Sequence, residues 1–181
     1  MSHYSVYAFY VDRDHTLWVG TFAGGINYLN KFTNRFVLHR PEDELNIRTG
    51  IYGAITYESP SDLWIATEGY GLLNYNNQTG KSQYYLIDPS ANFAFNTNII
   101  KSVLYEDGYV WCGTTKGEIY KFNIKTKKFT LYYQYPVEYS IYSIMRDHKG
   151  YLWVGGASTE FGLTCFVNDQ LVTTFTNNQD E

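Results

Sequence analysis

Proline is scarce: four in 181 residues, so few strands would be interrupted. Basic charge is scarce as well. Fourteen Lys and Arg stand against eighteen Asp and Glu, a net charge of −4. That leaves no basic footprint for nucleic acid, and no polybasic block suits direct contact with a membrane surface. No apolar run approaches transmembrane length. The first residues lack the apolar stretch of a signal peptide, so an exported natural protein would carry its export signal outside this sequence.

Catalytic signals are equally thin. The four histidines, His3, His15, His39 and His148, are scattered and show no metal-ligand spacing. There is no nucleophile elbow, phosphate loop or Cys-x-x-Cys. Acidic pairs such as Glu42/Asp43 and Glu106/Asp107 read as local charge. We therefore expect no metal, no cofactor and no catalytic residue in this chain. The two cysteines, Cys112 and Cys165, sit inside apolar strand phrases. They read as small buried hydrophobes; a disulfide between them stays open at this level.

What is abundant is aromatic surface. Nineteen Tyr, eleven Phe and four Trp make up 19% of the chain, and such residues favour strands and pack across sheets. The tryptophans carry the organising signal. They stand in "LWVGT", "LWIAT", "VWCGT" and "LWVGG", as Trp18, Trp64, Trp111 and Trp153, with spacings of 46, 47 and 42 residues. A period of that length marks a supersecondary repeat.

Other columns repeat with them. Val6, Tyr52, Ile100 and Ile141 align, as do Phe9, Ile55, Val103 and Ile144. Between them run small residues, Ala8, Ala54, Ser102 and Ser143, which imply close packing against neighbouring backbone. Polar turns separate these phrases from the tryptophan strand. After it, Ile26, Leu72, Ile119 and Leu163 align. Three copies then carry a hairpin running from Asn30, Asn76 or Asn123 to Thr33, Thr79 or Thr126. The residue after the Thr is suited to a left-handed turn. Copy four shortens the loop to "NDQ". No helical period occurs anywhere.

Each unit is thus four short antiparallel strands, and a four-stranded meander at this period is a propeller blade. The expected fold is all-β, a β-propeller segment of four blades over residues 5–40, 50–88, 99–134 and 140–176. A blade is apolar on both faces and must be stacked between like blades to bury them. The four tryptophans are read as its packing anchors. Burying one removes about 150–250 Å² from water, worth about 4–6 kcal/mol gross at roughly 25 cal/mol per Å².

The Trp is not followed by Asp, and no Gly-His precedes it, which sets the WD40 repeat aside. The glycine pair of a kelch repeat occurs once, at Gly24-Gly25. "SIYSIMRDHKGYLWVGG" (Ser140 to Gly156) and "LWVGTFAGGINYLN" (Leu17 to Asn30) resemble the two-component regulator propeller repeat instead. Copies two and three depart from it, with Ala66 and Glu118 in place of glycines. The resemblance implies an extracytoplasmic, periplasmic sensor segment of a bacterial hybrid two-component system, detecting glycan fragments. The kinase and receiver parts would lie outside this chain. It also implies about seven blades to a ring, within the usual four to eight. The first and last copies keep their apolar columns, so both ends expect partners: further blades of a longer chain, closure on themselves, or a second copy of the chain.

In such a meander the loops after the second strand share an end with the links between blades. That end is the varied one, and loops on a rigid scaffold carry function. Its candidate ligand-binding residues are Arg40, Glu68, Tyr70, Phe95, Lys116, Glu160 and Phe161, where aromatics beside charged groups would suit an oligosaccharide. A propeller-type enzyme such as a lyase, or a protein-interaction scaffold, remains the alternative.

Overall fold

The structure is a computed structural model describing residues 5–22, 24–30, 35–39, 51–91, 98–158 and 160–176. Among these residues, sixteen strands form four antiparallel four-stranded sheets, each a meander in chain order. Blade 1 comprises β1 (Val6–Val11), β2 (Leu17–Thr21), β3 (Ile26–Asn30) and β4 (Arg35–His39). Blade 2 comprises β5 (Tyr52–Tyr57), β6 (Asp62–Thr67), β7 (Leu72–Asn76) and β8 (Ser82–Tyr85). Blade 3 holds β9 (Ile100–Glu106), β10 (Tyr109–Thr114), β11 (Glu118–Asn123) and β12 (Lys128–Gln134). Blade 4 holds β13 (Ser140–Arg146), β14 (Leu152–Ala157), β15 (Leu163–Val167) and β16 (Gln170–Phe175). The four sheets are the blades of a β-propeller, and no α-helix occurs among the described residues. The chain divides into two compact units, Met1–Ile100 and Lys101–Glu181, at the first residue of β9.

The turns follow from their residues. Asn76 Oδ1 accepts the backbone N–H of Thr79 at 2.9 Å, and Asn123 Oδ1 that of Thr126 at 2.8 Å. The next residues, Gly80 and Lys127, take the left-handed conformation with φ of 72° and 57°. Copy four replaces that loop with Asn168-Asp169, both at positive φ (49° and 63°). This is the pattern of a two-residue type I′ hairpin. Asp107-Gly108 does the same between β9 and β10, with φ of 47° and 78°.

Strand alternation gives each blade a tryptophan face and a valine face. Trp18 pairs with Tyr28, while its neighbour Val19 pairs with Phe9 on the other side of the sheet. In the first unit, the tryptophan face of blade 1 covers the valine face of blade 2. Trp18 and Ile26 pack into a buried cluster with Tyr52, Ile55, Leu63, Ile65, Leu73 and Tyr75. Trp18 meets Tyr75 edge-on, with centroids 6.3 Å apart. The second unit repeats the arrangement. Trp111 and Ile119 of blade 3 pack on Ile141, Ile144, Leu152, Val154 and Phe166 of blade 4.

The glycine two residues after the tryptophan marks where the next blade's first strand crosses. A Cβ on Gly20 would lie 2.8 Å from the carbonyl oxygen of Tyr52 on β5. A Cβ on Gly113 would collide with Ser102 and with Ile141 on β13. Here the small column is also explained: Ser102 Oγ donates to the Ile141 carbonyl across the same contact, at 3.0 Å.

The indoles are held by a hydrogen bond as well as by packing. Trp18 Nε1 donates to Asp12 Oδ2 at 2.8 Å, Trp64 Nε1 to Glu58 Oε2 at 3.3 Å, and Trp153 Nε1 to Asp147 Oδ2 at 2.9 Å. In each case the acid stands six residues before the tryptophan and opens the turn between the first two strands. Its other oxygen holds that turn: Asp12 Oδ1 accepts the N–H of Thr16, and Asp147 Oδ1 those of Lys149 and Tyr151. Blade 3 differs because its Asp-Gly turn is one residue shorter. Its acid, Glu106, instead pairs with Arg146, Nε to Oε1 at 2.5 Å. The Arg146 guanidinium lies 5.3 Å from the Trp111 ring centre and Lys121 Nζ 4.5 Å from it, so two cations flank this indole.

Both cysteines are free and buried. Full burial pushes the Cys112 thiol well above its ordinary range, which keeps it protonated and inert.

Two predictions follow from these contacts. Asp12→Ala leaves a buried indole N–H without its acceptor, so the protein should lose about 1–3 kcal/mol, read from denaturant unfolding. Asp147 gives a pH signature. Its carboxyl is held below its ordinary value, first by the Trp153 N–H and then by backbone N–H groups. A depressed folded-state value stabilises above the unfolded carboxylate range of about 3.9. The stability gap between the native chain and Asp147→Ala should therefore be full near neutral pH and close as pH falls below that range; a gap independent of pH would contradict it.

Candidate functional site

The loops after the second strands are tied down at their bases by the threonine that ends "LWVGT" and its copies. Thr21 Oγ1 donates to the Gly25 carbonyl at 3.0 Å and Thr67 Oγ1 to that of Gly71 at 2.8 Å. Thr114 Oγ1 donates to Glu118 Oε2 at 3.0 Å. All three threonines are buried. Each of these three loops is thus closed at its base.

In the first unit, Glu68 is anchored through its backbone. Its N–H donates to the Ile51 carbonyl at 3.0 Å, and it bridges to Ile99. Gly71 N–H donates to the Asn98 carbonyl at 2.9 Å. Asn98 in turn closes the base of the 88–98 link: its Oδ1 accepts Asp88 N–H at 2.8 Å and its Nδ2 donates to the Asp88 carbonyl at 3.1 Å. The loop after β6 therefore meets Ile51 on one side and Asn98 and Ile99 on the other at one end of this unit, where the sequence places Glu68 and Tyr70. Tyr70 is buried, its ring 6.0 Å from Tyr84. Arg40 and Phe95, together with the rest of the 40–50 and 92–97 stretches, lie outside the described residues.

In the second unit, the link between blades 3 and 4 runs over both loops. Tyr135 N–H donates to the Gly117 carbonyl at 2.8 Å, beside Lys116. The Tyr135 ring packs 5.2 Å from Phe161, and its hydroxyl bonds Thr164 Oγ1. Tyr139 packs on both, and its hydroxyl donates to the Gly162 carbonyl at 2.8 Å. Tyr135 thereby joins the loop bearing Lys116 to the loop bearing Phe161. Lys116 and Glu160 are exposed, and Phe161 is half-buried.

Tyr135 and Tyr139 were not singled out from sequence, because the 134–140 link has no repeat column. Burial pushes the Tyr139 hydroxyl up to about 12 and raises Tyr135 as well. Neither gives up a proton near neutral pH. Both hydroxyls are already engaged by Thr164 and Gly162. His15 and His148 are exposed at the opposite, short-turn end. Among the described residues, no group of three or more His, Cys, Asp and Glu is placed to hold a metal ion. Among the same residues, no helix is long and apolar enough to cross a membrane. The loop end of the second unit offers exposed charge of both signs, Lys116 and Glu160, beside the half-buried ring of Phe161.

Comparison with known proteins is consistent with this architecture. The two-component regulator propeller model matches residues 1–23 and 136–158. Histidine kinase P4 of Formosa agariphila is 24% identical over 142 residues, which cover 73% of this chain and 10% of that protein. The extracellular domain assigned to a hybrid two-component system of B. thetaiotaomicron superposes with a TM-score of 0.73 at 23% identity. That match covers 98% of this chain and 25% of the other. A catalytically inactive virginiamycin B lyase from Staphylococcus aureus, solved with quinupristin, superposes with a TM-score of 0.69 at 16% identity over 96% of this chain and 56% of its own. At such identities the structural likenesses show the fold. This chain carries the two-component regulator propeller repeat, matched over the first strands of its first and last blades.

Proposed function

We propose that this chain is a ligand-sensing segment of a bacterial hybrid two-component sensor, placed in the periplasm and non-catalytic in itself. It binds an oligosaccharide at the varied loop end and passes the signal to kinase parts encoded elsewhere in a longer protein. The observation that carries this reading is the regulator propeller repeat on a scaffold whose loops are pinned at their bases while their tips differ. Pinning matters physically, because a preorganised rim loses little entropy when a ligand settles on it. The likeness to an extracellular two-component domain supports the same placement.

The chemistry of the rim agrees with a sugar ligand. Exposed Lys116 and Glu160 supply hydrogen bonds of both kinds, and Phe161 lies at the same end of the second unit. Sugars are bound by such mixtures of apolar faces and directed polar groups. The likeness to the lyase, at 16% identity, shows the fold alone.

The test is isothermal titration of the purified chain with a panel of defined oligosaccharides, paired with chromatography of the saccharide afterwards. Saturable binding is expected, with the saccharide recovered intact. Lys116→Ala and Glu160→Ala should each weaken binding by about tenfold, roughly 1.4 kcal/mol, while His148→Ala at the short-turn end leaves it unchanged. Cleavage of the saccharide, or loss of binding in His148→Ala alone, would contradict the proposal.

A further inference from the structure

The seam between blades 3 and 4 is built from the same columns as the seam between blades 1 and 2, but two of its side chains change character. Across the strand from Trp18 stands Tyr28, its ring 5.0 Å from the indole; across from Trp111 stands Lys121. Two residues past Ile55 stands Tyr57, and two past Ile144 stands Arg146. Each of these pairs with the leucine before the next tryptophan, Leu63 or Leu152. At two matched registers, therefore, the first seam has rings and the second has cations.

The indole acceptor changes with them. Trp18, Trp64 and Trp153 each donate to a carboxylate of the preceding turn. In blade 3 that carboxylate, Glu106, is drawn to Arg146, and the Trp111 N–H donates to no described residue. Nor is that N–H sealed off. Among the described residues, the enclosed side-chain nitrogen without a hydrogen-bond partner is Arg146 Nε, which touches Glu106 Oε1 without the alignment of a hydrogen bond. The Trp111 N–H, equally without a partner, therefore keeps contact with solvent.

Lys121 gives an independent sign of the same demand. It is half-buried, with Nζ 4.5 Å from the Trp111 ring centre, 4.9 Å from that of Tyr109 and 6.0 Å from that of Tyr132. It forms neither a hydrogen bond nor an ion pair with any described residue. Aromatic faces attract an ammonium but do not neutralise it, and partial burial makes an uncompensated charge costly. The carboxylates described at this seam are committed elsewhere: Glu106 to Arg146, and Asp169 to the Tyr132 hydroxyl, which donates to its Oδ1 at 3.0 Å. Arg146 Nη1 donates to the Gly150 carbonyl at 2.8 Å, and Nη2 to no described residue.

We propose that this seam binds a small-molecule carboxylate, held by the Lys121 ammonium and the Trp111 N–H, with the Arg146 guanidinium adding attraction beside them. A carboxylate brings two acceptor oxygens, which suits an ammonium and an N–H gathered on one ring. Hydrogen bonds between such a group and a cation are among the stronger ones. The ligand takes the part that Asp12, Glu58 and Asp147 play for the other indoles. The Tyr109 ring, 36% exposed, lies next to Lys121 and offers a surface for the rest of the molecule. The site sits beside the turns after β9 and β13, at the opposite end of this unit from Lys116 and Glu160, so it stands apart from the sensing role proposed for the loops.

Titration of the ¹⁵N-labelled chain with galacturonate, followed on the indole N–H signals by NMR, tests it. The Trp111 signal should shift saturably while those of Trp18 and Trp153 stay in place. Galactose, the neutral counterpart, should leave it unmoved. Acetate separates the sources of the carboxylate. Binding as tight as galacturonate's shows that the carboxylate alone is read, and weaker binding shows that the sugar ring adds contacts; either result supports the site. Lys121→Tyr installs the residue found at this register in the first unit, so circular dichroism should be unchanged while affinity falls at least about tenfold. Lys121→Arg keeps the charge and should keep binding. Lys116→Ala should leave it intact, so failure of this site and failure of the sensing role are distinguishable. No saturable Trp111 shift with either carboxylate overturns the proposal. So does an equal response to galactose, full affinity in Lys121→Tyr, loss of binding in Lys121→Arg, or sulfate binding as tightly as galacturonate.

Discussion

The structure depends on one constraint, complete at Trp18: the indole is held from two directions. A carboxylate on the preceding turn fixes its N–H end, and the next blade's aliphatic strand pairs cover its ring. The two contributions differ in size. Burial of the ring is worth about 4–6 kcal/mol gross, while a charge-assisted hydrogen bond contributes about 1.5–3 kcal/mol. Packing therefore supplies the stability, and the carboxylate supplies the angle. Without the carboxylate a large flat ring could tilt in its slot; with it, turn, strand and neighbouring blade are aligned together.

The phrase "LWVGT" can then be accounted for letter by letter. The leucine and valine point to one face, which in blades 2 and 4 receives the preceding blade. The tryptophan points to the other and reaches the next. The glycine on that same face lets the next blade's first strand approach to carbonyl contact with Gly20. The threonine closes the loop that follows, through its hydroxyl to Gly25 or Gly71. Packing and rim construction are thus written in five consecutive residues. The same small segment that stacks the blades also sets the base of the loops where a ligand would bind.

Much of this was legible in the sequence because strand alternation exposes columns. Phe9, Ile55 and Ile144 read as one position, and the structure places them at one register. The left-handed residue after Thr79 and Thr126 was readable for the same reason, being dictated by turn chemistry. The indole acceptors were missed. Asp12, Glu58 and Asp147 read as ordinary turn residues, although their constant distance before the tryptophan was visible. Glu106 obscured that column, because the Asp107-Gly108 turn removes one residue and sends its carboxylate to Arg146 instead. The candidate site was less legible. Tyr70 and Phe161 read as possible platforms and are packed to different depths. Tyr135 and Tyr139 bind the rim together from a link that has no counterpart elsewhere in the chain. Link residues answer to local packing rather than to the repeat, so periodicity carries no information about them.

The central claim, that Trp18 is clamped by carboxylate and neighbouring blade together while Trp153 has the carboxylate alone, is tested most directly by hydrogen exchange of the indole N–H groups, resolved by NMR. The account predicts that Trp18 exchanges only on the scale of global unfolding, and that Trp153, bonded to Asp147 but half-buried, exchanges faster. Trp18 exchanging at the rate of a free indole, or no faster exchange at Trp153, would contradict it.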